Sequence, residues 1–121
     1  MPKELNIEEI ERDVRNIASR FPFIQGTKTI VKTSNTIKIR LDVTEECYIQ
    51  IYRNIQKNLT SYVMVLGCER IYGRDCDGGF WHRHREDDPS GHDFSPEGSR
   101  EIDLDEFLSE TQEILIEKGI L

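Results

Sequence analysis

All three histidines of the chain, His82, His84 and His92, fall within eleven residues. Tyr72, Arg74, Asp75, Cys76, Asp77, Trp81, Arg83 and Arg85 lie beside them. Three readings are open to such a set. The first is metal binding. His82-x-His84 on an extended segment puts both rings on one face, about 7 Å apart at the backbone. His92, Cys76 or Asp75 can complete the set, because zinc takes imidazole, thiolate and carboxylate. The spacing matches no standard zinc finger, and Asp87, Asp88 and Asp93 read as solvated loop acids. The second is metal-independent cleavage of RNA by its own 2′-hydroxyl. His82 or His84 supplies base and acid near neutral pH, Arg74 and Arg83 hold phosphate, and Asp75 orients a histidine or an arginine. Tyr72 is a candidate acid or hydrogen-bond donor, Trp81 can stack on an unpaired base, and Arg85 adds positive charge. The third is structural: solvated His82, Arg83 and Arg85 over a core-anchored Trp81.

The elements that must position these residues follow from periodicity. Asn6 reads as an N-cap with Glu9 three residues on. Ile7, Ile10, Val14, Ile17 and Phe21 recur at helical spacing, which predicts an amphipathic helix over about 7–20, ended by Pro22. Thr27–Thr33 is β-branched and strand-like, with Ser34-Asn35 as a turn. Ile37, Ile39, Leu41 and Val43 alternate with Thr36, Lys38, Arg40 and Asp42, the pattern of a half-buried antiparallel strand. Cys47, Ile49 and Ile51 continue it, and Tyr62–Leu66 is apolar on both faces. Gly67-Cys68-Glu69 closes a hairpin into Arg70–Asp75. Gly78, Gly79, Pro89, Gly91, Pro96 and Gly98 then predict one irregular loop over about 77–101. Asp103 caps a last helix with an inner stripe of Leu104, Phe107, Leu108, Thr111, Ile114 and Leu115, stopped by Gly119. The expected fold is α+β: an antiparallel meander of four or five strands with an N-terminal and a C-terminal helix packed on it. The whole chain, 1–121, reads as a single domain.

Charge and composition narrow the function classes. The net charge is −7, so bulk nucleic-acid binding is disfavoured. Residues 70–85 nevertheless hold four arginines against two aspartates, a local +2 in a chain whose remainder carries −9. Such a spot suits a focused anion site. Three cysteines without a CxxC pair argue against a disulfide framework. The polar opening Met1-Pro2-Lys3-Glu4 predicts no signal peptide, and no apolar run predicts a membrane span. The cytoplasm is the expected location. No P-loop, GxGxxG or HExxH motif is present.

The run Ser61-Tyr62-Val63-Met64-Val65, a Gly turn, Arg70-Ile71-Tyr72-Gly73-Arg74-Asp75 and then Trp81-His82-Arg83-His84-Arg85 resembles the TumE-like family. Those are small prokaryotic toxins of toxin–antitoxin pairs. The resemblance spans about residues 36–118, including the closing acidic helix. It implies an antitoxin partner and action on RNA or translation, with Tyr72, Arg74, Asp75, His82 and His84 as the positions carried over. Gly73 stands where that family tends to have Arg or another side chain, and Cys76-Asp77 also departs from its pattern. The expectation is a toxin that acts as a metal-independent endoribonuclease, self-association being open. The alternative is a non-catalytic module that binds a protein or holds zinc on His82, His84, His92 and Cys76.

Overall fold

A computed structural model describes residues 6–121; residues 1–5, and with them the polar opening, lie outside it. Helix α1 spans Ile7–Ala18 and α2 spans Leu104–Glu117. The side chain of Asn6 accepts from the Glu9 N–H at 2.8 Å, and Asp103 and Glu106 form a reciprocal capping box. These caps satisfy backbone donors that the first helical turn leaves unpaired.

Between the helices run β1 (Gly26–Lys32), β2 (Thr36–Asp42), β3 (Cys47–Asn54), β4 (Leu59–Leu66), β5 (Glu69–Asp77), β6 (Phe80–Arg85) and β7 (Asp88–Asp93). They form one antiparallel sheet in chain order. Period-2 alternation sends Ile37, Ile39, Leu41, Ile49, Ile51 and Met64 to one face, where they are buried with Ile10 and Val14 of α1 and Phe107, Leu108 and Leu115 of α2. Burying each such side chain contributes about 1.5–3 kcal/mol. Both helices thus cover the same face. The other face, with Lys38, Tyr48, Gln50 and Tyr52, carries no helix among the described residues. No described helix is long and apolar enough to cross a membrane.

The α+β meander and its two helices match the expectation, but seven strands replace four or five. The irregular stretch expected over 77–101 is the source of the difference, because β6 and β7 occupy about half of it. Gly78 and Gly79 have φ of 60° and 91°. Two successive positive φ values make the twisted two-residue turn that closes a β-hairpin. The glycines therefore connect strands where they had read as breakers. Gly67-Cys68, at φ of 57° and 70°, forms the same kind of turn between β4 and β5. Pro89 and Gly91 are accommodated because β7 is the edge strand, where a missing ladder donor costs little.

Candidate metal centre on the open sheet face

Two features of β5 decide which of its side chains reach the open face. The first is the Gly78-Gly79 turn, which pairs Asp75 with His82 and Gly73 with His84. The second is a bulge at Ile71: Val65 pairs with Arg70, but Met64 pairs with Tyr72. The extra residue shifts the register of β5 against β4, so that Ser61 meets Asp75 and Val63 meets Gly73. Lys38, Tyr52, Ser61, Asp75 and His82 consequently form one rung across five strands. Arg40, Gln50, Val63, Gly73 and His84 form the next.

On these rungs the imidazoles of His82 and His84 approach with their Nε2 atoms 3.2 Å apart. Asp75 Oδ2 lies 3.5 Å from His82 Nε2 and 3.2 Å from His84 Nε2. His92, brought in by β7, offers a third ring nitrogen, and the three ligand atoms lie within 4.8 Å of one another. Asp75 Oδ1 accepts the Ser61 hydroxyl at 2.6 Å, which fixes the carboxylate. Gly73 leaves room beside His84: a Cβ there would stand 3.1 Å from the Tyr62 carbonyl and 3.9 Å from the His84 Cβ.

His84 Nδ1 is 3.0 Å from the Pro89 carbonyl, which can only accept, so Nδ1 carries the hydrogen. In the neutral ring, Nε2 is then a bare lone pair. It faces a carboxylate oxygen and a second imidazole nitrogen. A proton on His82 Nε2 can satisfy one of these contacts at a time, and the remaining lone pairs oppose each other. A cation at the convergence point satisfies all of them. Burial holds the pKa of His82 below its ordinary value, against the pull of Asp75, and the charges of His84 and His92 push it the same way as burial. The neutral, ligating form is thereby favoured. The distances fit as well. Ligands about 2.0–2.2 Å from a tetrahedral ion are about 3.3–3.6 Å from each other, close to the separations that His82, His84 and Asp75 show.

The other expected site residues face the helices. Arg74 is fully buried and binds α2: its Nε and Nη2 donate to Glu110 at 3.1 and 2.6 Å. It also donates to the Glu97 carbonyl and carboxylate at 2.7 and 3.0 Å. Tyr72 stacks on Phe107 with ring centroids 5.8 Å apart, and burial, with Glu110 nearby, pushes its hydroxyl up to about 12. Trp81 packs on Tyr62 at 6.1 Å. Arg83 is held by Asp93 at 2.7 Å and Arg85 by Asp87 at 3.0 Å. Cys76 is buried at the helix side, sharing a cavity with Tyr62, Trp81 and Ile102. Alternation along β5 and β6 is the reason: one residue from Asp75 or His82 in either direction lies on the opposite face. The set expected to act together is thus divided. His82, His84 and His92 converge, with Asp75 against His82 and His84, whereas Tyr72, Arg74, Cys76, Trp81, Arg83 and Arg85 stand across the sheet from them. Ser61 and the Pro89 carbonyl are additions that sequence reasoning missed.

Comparison of the chain with protein-family models, with curated proteins and with solved structures finds no match in any of the three.

Proposed function

We propose that this protein binds a divalent metal of the zinc class through His82, His84, His92 and Asp75. The convergence of two imidazole Nε2 atoms and a carboxylate oxygen at 3.2–3.5 Å, with the His84 tautomer fixed by a backbone carbonyl, carries the proposal. A hydrogen bond from the non-ligating ring nitrogen and a second bond to the ligating carboxylate are the usual supports of a metal site, and Pro89 and Ser61 provide both. A zinc-class ion there would act as a Lewis acid toward whatever reaches the open face. The test is the metal content of the full chain after loading with zinc and desalting. About one equivalent is expected, falling to background in the His82→Ala/His84→Ala variant. A native protein without retained metal, or a double variant that keeps it, overturns the proposal.

A second reading is favoured by Asp75 reaching both His82 and His84: an acid–base pair that cleaves RNA without metal. RNA cleavage that survives a chelator and disappears in the same double variant would support it over the first. For either chemistry the resemblance to TumE-like toxins supports a toxin held in check by an antitoxin. Growth arrest on expression, relieved by the double His variant, tests that proposal.

A further inference from the structure

The rung that ends at His82 begins at Lys38, and the surface between them has its own chemistry. Lys38, Tyr48, Tyr52, Ser61, Val63 and Arg70 line a trough of about 420 Å³ on the open sheet face. A second hollow of about 570 Å³ shares Arg70 with it and reaches His84, with Glu69, Pro89 and Ser90 on its walls. Ser61, through its bond to Asp75, joins the first trough directly to the His cluster. Two aromatic rings stand in this trough. Tyr48 has one face occupied by the Arg40 guanidinium, 4.0 Å from its centroid. Tyr52 makes no such contact among the described residues and lies on the same rung as Asp75 and His82.

The charges on this face are unequal. Lys28 and Arg40 both lie on Asp42, at 3.2 and 2.9 Å, and neutralise it. Lys38 and Arg70 have no acidic partner within 4 Å among the described residues. In a chain of net charge −7, two uncompensated cations flanking an aromatic trough are complementary to a polyanion with flat rings. Sheet faces bind unpaired nucleotides with these two components: cations on phosphate, and aromatic rings under bases.

We infer that the open face of β2–β5 binds a single-stranded nucleic acid, with Tyr52 stacking on a base and Lys38 and Arg70 holding phosphates, so that the strand passes the His82–His84–Asp75 cluster. The position of the strand rests on the sheet face alone; its role as the ligand of a metal centre rests on the metal-binding proposal above. About three strand spacings of 4.7–4.9 Å separate Tyr52 from His82, so a segment stacked on Tyr52 spans to the cluster within a few nucleotides.

The experiment is fluorescence anisotropy of a labelled short oligouridine with the zinc-loaded full chain at low and rising salt. Metal content is measured on the same samples. Lys38→Gln/Arg70→Gln is expected to weaken binding by at least tenfold and to flatten the log–log salt slope by roughly 1.4, the share of two cations on a single strand. Tyr52→Ala is expected to weaken binding roughly 5- to 150-fold at an unchanged salt slope. Lys118→Gln, on the C-cap of α2, is expected to bind as the native chain does. No binding by the native chain overturns the inference, as does binding that Lys38→Gln/Arg70→Gln leaves intact. Equal competition by polyglutamate also overturns it, in favour of an acidic protein segment. Oligouridine binding by a chain that retains no zinc upholds the nucleic-acid face and defeats only the metal centre. Zinc retention without oligouridine binding does the reverse.

Discussion

Replacing Arg74 by Met separates a structural cation from a phosphate-binding one. Arg74 is 0% exposed and donates four hydrogen bonds, two to Glu110 and two to Glu97. Removing one partner of a buried ion pair costs about 3–5 kcal/mol, because the other charge is left uncompensated. Here the stranded carboxylates are not fully buried: the Glu110 side chain is 23% exposed and that of Glu97 53%. Water can reach both, which places the expected cost near the lower end, about 3 kcal/mol. A chain of this length has an unfolding entropy of about 250 cal/mol/K near its midpoint, so 3 kcal/mol lowers Tm by about 12 °C. Pairing Arg74→Met with Glu110→Leu removes the less exposed of the two stranded charges, Glu97 keeping Arg100 at 3.0 Å, and is expected to restore more than half of the loss. Thermal and urea unfolding of native, single and double variants provide the measurement. A single variant within about 1 kcal/mol of native, or a double variant less stable than the single, would refute the reasoning.

Ser61→Ala removes the 2.6 Å bond that fixes Asp75 without touching a ligand atom. Zinc affinity measured against a competing chelator is expected to fall about 10- to 100-fold while Tm without added zinc stays near native; unchanged affinity would detach Ser61 from the centre. The Glu97 carboxyl is held down to about 2 by hydrogen bonds from Arg100 and then Arg74. Its folded pKa is depressed, so its contribution to stability is complete above the unfolded value of 4.5 and is lost as pH falls from there toward 2. Glu97→Gln is expected to flatten Tm against pH in that window by about one proton and to leave the profile above pH 6 unchanged in slope; a profile parallel to native throughout would show that the pairing does not hold.

Much of this architecture is legible in local sequence. The caps at Asn6 and Asp103, the helical stripes behind them and the period-2 runs of β2 and β3 each have a physical signature within a dozen residues. The pairing of Asp75 with His82 was also within reach, because it follows from reading Gly78-Gly79 as a two-residue turn with positive φ at both positions. Taking those glycines as breakers cost β6 and β7, and with them the strand that delivers His92.

The choice of face was decided only by the tertiary structure. Arg70 and Arg74 are an even number of residues apart, so a regular strand would show both on one side. The bulge at Ile71 puts Arg70 on the open face and Arg74 in the core. Without it Ser61 would face Arg74 in place of Asp75. A bulge of one residue is a property of the paired strands β4 and β5, and nothing in the local run Arg70-Ile71-Tyr72 announces it. The sequence by itself brought together the residue types a metal or acid–base centre needs. Register, which is a property of paired strands, selected His82, His84, His92 and Asp75 from among them and turned Tyr72, Arg74, Arg83 and Cys76 toward the helices.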